Sequence, residues 1–230
     1  MIDAVDVFTD RKKYRFVARS NNENTLNQTK KINTLNYLGH AVLSFGNAET
    51  LAGNMIGDFV KGSIILDTFP EGIKKGIQLH RKIDEFADHH PSTLKAKNLF
   101  RPDYRLYSGA FVDSLYDHFL ANDPHYFPTE KSLFDFAGKV YSDLETHLHL
   151  LPESFKTMLP YMVSNNWLYN YRTLQGMKKS FGGLVKRAKY LESSDKAYEI
   201  LVTHYYELNQ YYFDFIDDVN KYVKNELNNL

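Results

Sequence analysis

From residue 34 onward the apolar side chains recur every three or four positions, and nowhere in that stretch do they alternate over the length of a strand. That pattern restricts the chain to packed helices. Leu35, Leu38, Val42 and Phe45 form a first apolar face, with Asn33 or Thr34 as N-cap and Gly46 as the stop. Further helices are expected over about 48–61, ending at Gly62, and about 71–87, closed by His90-Pro91. The same reading places helices over about 92–100, 104–120, 131–150 and 153–165. The segment 167–190 reads as helical but interrupted by Gly182-Gly183. A last helix follows Ser193-Ser194, its stripe formed by Ile200, Leu201, Leu208, Phe215, Val219 and Val223. The fold class predicted is all-α, an irregular helical bundle. Residues 1–33 differ: they are polar, with the run Asn21-Asn22-Glu23-Asn24, and read as a flexible N-terminal extension. The sole strand candidates, Val5–Phe8 and Tyr14–Ala18, lie there. Residues 34–230 are expected to form a single helical domain.

Composition removes several chemistries. The chain has no cysteine, which excludes disulfides, thiolate-bound zinc, iron–sulfur clusters and cysteine nucleophiles. No G-x-G-x-x-G, Walker A or G-x-S-x-G pattern is present. No apolar run approaches a membrane span, and the N-terminus lacks the apolar stretch of a signal peptide, so a cytoplasmic location and no membrane partner are expected. Formal net charge is zero, so bulk charge points to no nucleic-acid partner. The distribution says more. From Ser154 to Leu191 there is no acid but there are seven cations, whereas Glu192 to Leu230 holds eight acids and three cations. The basic segment suits an acidic partner, or else packs beside the acidic tail helix.

The polar residues on apolar helices carry the functional signal. His80, Asp84 and Asp88 stand at i, i+4, i+8, which puts all three on one helix face. Two like charges one turn apart repel each other mildly, and a divalent cation would reverse that penalty. Asp113 and Asp117 repeat the spacing among Phe111, Val112, Leu115 and Tyr116, with His118 directly after. His40 and Asp58 each interrupt an apolar run. Buried carboxylates are costly unless paired or metal-bound. Imidazole and carboxylate together are the usual ligands of Mn²⁺, Fe²⁺ or Zn²⁺ in a site without sulfur, and helix bundles build such sites from facing helices. A solvated charged face for the third helix and a satisfied core histidine at position 40 are the simpler alternatives.

Three runs carry a family resemblance: LNYLGHAVLS (35–44), GNMIGDFVKG (53–62) and GIQLHRKIDEFADHHP (76–91). In this order they resemble the opening of the acyl-carrier-protein phosphodiesterase family, with its N-[YF]-L-A-H, G-N-x-x-x-D-F and H-R-x-I-D elements. The stretch Asp113–Phe119 resembles that family's D-x-x-x-D-H-[FY] element, and NWLYNYRTLQGM (166–177) its W-L-x-x-Y pattern. The resemblance implies an HD-domain-like helical fold. It also implies metal-dependent release of 4′-phosphopantetheine from the serine of holo-acyl carrier protein, with Mn²⁺ as the expected divalent metal.

By the same resemblance the metal ligands are His40, Asp58, His80, Asp84, Asp117 and His118, and catalytic roles fall to Asp58, Arg81 and Asp88. Asp58 is expected to bind the metal or to orient the attacking water. Arg81 is expected to stabilise phosphoryl charge or to hold an ion pair nearby. The basic segment is expected to dock the acidic carrier protein through Lys178, Lys179, Lys186 and Arg187. Gly39 stands where the family usually has alanine, and Asp117-His118 reverses the His-Asp order of the wider HD group. The alternatives are a hydrolase of nucleotides or other small phosphoesters, and a non-catalytic helical binding module.

Overall fold

The computed structural model describes residues 37–62 and 64–229. The expected flexible extension over 1–33, its two strand candidates and the proposed caps at Asn33 and Thr34 lie outside the described residues. Within them every regular element is a helix, in the order α1 (Tyr37–Val42), α2 (Ala48–Ile56), α3 (Glu71–His89), α4 (Pro91–Tyr104), α5 (Ser108–Ala121) and α6 (Glu130–Thr146). There follow α7 (Glu153–Ser164), α8 (Trp167–Asn170), α9 (Leu174–Arg187), α10 (Asp195–Thr203) and α11 (Tyr205–Asn229). The described residues therefore form the expected all-α irregular bundle.

Local chemistry sets most of the boundaries. The Asn47 side chain accepts from the Thr50 N–H at 2.9 Å and opens α2. Pro91 occupies the first turn of α4, where a missing N–H costs nothing. Thr129 and Ser132 cap α6 reciprocally. The Thr173 hydroxyl accepts from the Gly176 N–H at 2.9 Å and opens α9.

At the centre lies α5, buried along nearly its whole length and packed against α1, α4, α9 and α11. Phe111 anchors it, with its ring stacked on Phe100 of α4 and meeting Phe181 of α9 edge-on at 5.1 Å. α2 and α3 form the closest pair, because both present a glycine at their crossing. A Cβ on Gly53 would lie 2.0 Å from the Ile73 carbonyl oxygen, and one on Gly76 2.2 Å from that of Thr50. Backbone lies directly on backbone here, which no residue larger than glycine permits. The stripe expected on the last helix is buried throughout, from Ile200 to Val223.

Tertiary contacts moved several expected boundaries. Phe45 does not join the core: it is 44% exposed, and together with Gly46 it takes a left-handed backbone that turns the chain out of α1. The second helix ends at Ile56 rather than at 61 and continues as a tight turn, Gly57–Phe59. The fifth begins at Ser108, after a turn over Arg105–Tyr107. Gly182-Gly183 do not interrupt α9; the break falls at 171–173, where Gly176 fits against the Asn170 carbonyl oxygen. His204 divides the last helix into α10 and α11. Among the described residues no helix is long and apolar enough to cross a membrane.

Candidate metal centre

Two histidines from different helices meet at the α1–α2–α3 junction. His40 of α1 and His80 of α3 are buried and stacked, ring centroids 4.1 Å apart. Asn54 of α2 stands between them and the backbone. Its side-chain NH₂ donates to the His40 carbonyl at 2.9 Å and to the Ser44 hydroxyl at 3.1 Å. That fixes the amide orientation and leaves its Oδ1 to accept from His40 Nδ1 at 2.7 Å. The carbonyl of the same residue accepts from His80 Nδ1 at 2.8 Å. One asparagine thus places a proton on the Nδ1 of both rings and leaves both Nε2 atoms with a lone pair.

Both Nε2 atoms are buried and have no hydrogen-bond partner among the described residues. They converge on the carboxylates instead. Asp84 Oδ1 lies 3.4 Å from His40 Nε2, and Asp84 Oδ2 lies 3.6 Å from His80 Nε2. Asp58 Oδ1 lies 3.5 Å from His80 Nε2. These gaps are too long for hydrogen bonds. They lie at or just beyond the roughly 3.0–3.4 Å expected between neighbouring ligands of one ion with bonds of about 2.1 Å. His40, His80 and Asp84 form the cluster whose ligand atoms all lie within 4.8 Å of one another, and Asp58 borders it. The orphaned nitrogens and the mixed imidazole–carboxylate donor set fit a divalent cation.

Electrostatics agree. Burial lowers the His40 pKa, helped by the charge of the adjacent His80. Burial opposes charge on His80 too, yet the Asp58 and Asp84 carboxylates outweigh it and raise that pKa. Two carboxylates converging on these nitrogens favour positive charge at this point.

Asp58 owes its position to Gly57. A Cβ at Gly57 would lie 2.2 Å from His80 Cγ, so the histidine ring occupies the space beside the turn. Arg81 braces the same turn from α3: its Nη2 donates to the carbonyls of Val60 at 3.0 Å and Gly62 at 3.1 Å.

Three of the expected residues stand elsewhere. Asp88, one turn beyond Asp84, pairs with Lys97 of α4 at 2.7 Å. Asp117 caps α1 from across the molecule, accepting from the N–H groups of Leu38 at 3.1 Å and Gly39 at 2.8 Å. Burial raises its pKa well above the usual carboxylate range despite those two bonds. His118 has both nitrogens engaged, Nδ1 with the Tyr171 carbonyl at 2.6 Å and Nε2 with the Tyr205 hydroxyl at 3.0 Å. Asp113 and Asp117 line a small, mostly apolar crevice that reaches His40. The sequence reading overlooked Asn54, although a polar residue beside Met55-Ile56 was the same signal that singled out Asp58.

The basic segment lies at the surface of the described residues. Lys178, Lys179, Lys186 and Arg187 of α9 are all exposed, and none forms an ion pair among the described residues. The acidic α11 packs instead on α3, α4, α5 and α10.

Residues 35–219 match the family model described as acyl carrier protein phosphodiesterase. Among curated relatives of that description, the Enterobacter sp. (strain 638) protein is 29% identical over 192 residues, covering 84% of this chain and 99% of the relative. The Yersinia enterocolitica protein is 30% identical over 181 residues, 79% of this chain and 93% of the relative. The Photorhabdus laumondii protein is 28% identical over 186 residues, 79% and 91% of the two chains. No solved structure matches the chain.

Proposed function

The chain belongs to the acyl carrier protein phosphodiesterase family, and from that premise we propose that it hydrolyses the phosphodiester linking 4′-phosphopantetheine to the serine of holo-acyl carrier protein. The products are apo-carrier and 4′-phosphopantetheine. The observation that carries this reading is the pair of orphaned Nε2 atoms of His40 and His80 facing the Asp84 carboxylate.

His40, His80 and Asp84 would hold the metal, with Asp58 as a fourth ligand or beside it. A divalent ion supplies there a Lewis acid that polarises a phosphoryl oxygen and acidifies water. Asp58 accepts a proton from the attacking water as its oxygen bonds to phosphorus. The bond from phosphorus to the seryl oxygen breaks, and the proton taken up by Asp58 is returned to that oxygen as it leaves. Arg81 keeps the turn carrying Asp58 in place. Asp117 and His118 hold α1 and the start of the α9 region. Asp88 ties α3 to α4. Lys178, Lys179, Lys186 and Arg187 attract the acidic carrier. The scaffold is HD-domain-like in this reading, since the ligands come from neighbouring helices, and Mn²⁺ is the proposed ion.

The test incubates the protein with holo-carrier and Mn²⁺, Mg²⁺ or Zn²⁺ and follows the carrier by mass spectrometry. Loss of the 4′-phosphopantetheine mass is expected, fastest with Mn²⁺. Chelator, Asp84→Asn and Asp58→Asn should each abolish it. An unchanged carrier mass with folded, metal-loaded protein would sink the reading.

A further inference from the structure

A crevice of about 40 Å³ opens beside the candidate metal centre. His40 and Leu43 of α1 and Ile83 and Ala87 of α3 line it, and Leu120 of α5 and Ile216 of α11 close it. On both α1 and α3 these residues continue the face that carries the expected ligands. Leu43 stands three positions after His40, and Ile83 and Ala87 stand three after His80 and Asp84, spacings that share a helix face. The crevice therefore starts at the ligands and runs about 4.5 Å further along each helix. Leu43, Ile83, Leu120 and Ile216 are buried, so its walls are mostly apolar. Water finds few partners in such a space, and an apolar group is the better occupant.

Its place beside the metal ligands decides which group that is. In the phosphodiester proposed above, phosphorus carries two carbon chains. One is the seryl side chain, which leads at once into polypeptide. That is too bulky for this crevice, and its N–H and C=O groups would find no partners on apolar walls. The other is the pantetheine arm. Its first carbon after the phosphate oxygen bears a quaternary carbon with two methyl groups, the bulkiest apolar group close to phosphorus. The thiol lies at the far end of the arm, out of reach of a crevice that touches a metal ligand. A nucleotide would instead bring a sugar here, and its hydroxyls would lose their hydrogen bonds against Leu43, Ile83 and Leu120.

We infer that this crevice is a specificity pocket for the dimethyl-branched carbon of the 4′-phosphopantetheine arm, packed among Leu43, Ile83 and Ala87. This rests on the carrier-protein reading above. The hydroxyl on the next carbon of the arm would meet Asp113, the half-buried carboxylate on the α5 wall. Seating the branch in the pocket holds the adjoining phosphate against the face that carries His40, His80 and Asp84. Burial of the two methyl groups favours the native arm over an unbranched one by about tenfold.

The test uses the full chain loaded with Mn²⁺, free 4′-phosphopantetheine, and an analogue with hydrogens in place of both methyl groups. Calorimetric titration gives Kd for each, and carrier protein bearing each arm gives kcat/KM. Wild-type protein should prefer the native arm about tenfold in both measurements. Ala87→Leu fills the pocket with a good helix former. It should weaken the native arm about tenfold and the analogue less than threefold, with Mn²⁺ affinity kept. Should that variant fail to fold, the two arms compared on wild-type protein decide alone. Equal Kd and equal kcat/KM for the two arms overturn the pocket and leave the hydrolase reading intact. If neither carrier is hydrolysed but 4′-phosphopantetheine binds about tenfold tighter than the analogue, the hydrolase reading fails and the pocket stands. If neither free arm binds, the pocket is overturned.

Discussion

Replacing Asn54 by alanine tests the proposition that its side-chain amide sets the metal-binding tautomer of His40. The side chain contributes one acceptor to His40 Nδ1 and two donations, to the His40 carbonyl and the Ser44 hydroxyl. The last two groups already bond each other at 2.8 Å, so alanine leaves neither orphaned. His40 Nδ1–H is the group left buried without an acceptor, at a cost of about 1–3 kcal/mol. For a domain of this size that lowers Tm by about 2–12 °C. The imidazole can escape by moving its proton to Nε2, where Asp84 Oδ1 lies 3.4 Å away, and that proton occupies the lone pair a metal needs. Loss of such an orienting partner weakens metal binding by about 10–100-fold. Calorimetric titration with Mn²⁺, run beside thermal melting, reads both effects. Ser44→Ala is the reference, because it removes a neighbour of Asn54 but leaves the acceptor of His40 intact, and it should retain wild-type metal affinity. A folded Asn54→Ala protein with unchanged Mn²⁺ affinity would refute the tautomer argument.

Other perturbations follow from the same geometry. Gly57→Ala places a Cβ 2.2 Å from His80 Cγ, so the ring must move; Mn²⁺ affinity and turnover should fall at least tenfold while the far-ultraviolet circular dichroism is kept. Gly53→Ala drives a Cβ to 2.0 Å from the Ile73 carbonyl, a backbone clash that side-chain rotation cannot relieve, and should cost about 1–3 kcal/mol or more in denaturant melts. His118 gives a pH signature. Burial lowers its folded pKa below the ordinary 6.5, so its contribution is present above pH 6.5 and is lost as pH falls through the folded value. The stability deficit of His118→Gln relative to wild type should therefore shrink on acidification from pH 7 towards 5; a deficit constant with pH would count against the assignment.

The helices were legible because burying one face of a helix imposes a 3.6-residue period on the sequence, and that stripe survives in α11 from Leu208 to Val223. Local chemistry also marked most ends, as Pro91 and Pro152 show. The i, i+4 rule brought His80 and Asp84 together correctly, because both sit on one rigid helix. It could not tell Asp84 from Asp88, which share a spacing but face different neighbours; the approach of Lys97 from α4 decides between them. Nor could it tell that Asp117 caps α1, or that both nitrogens of His118 are already engaged. Asn54 was invisible as a tautomer-setting residue because its acceptors serve rings on two other helices. The early end of α2 was hidden likewise, since a ring from α3 takes the space beside Gly57. Which faces are apolar, where the punctuation falls and which chemistry is absent are properties of neighbours along the chain and are legible there. Only the tertiary structure decided which polar side chains meet, because partners 26 or 78 positions apart are selected by how helices cross. Here that crossing is set by bare backbone contact at Gly53 and Gly76.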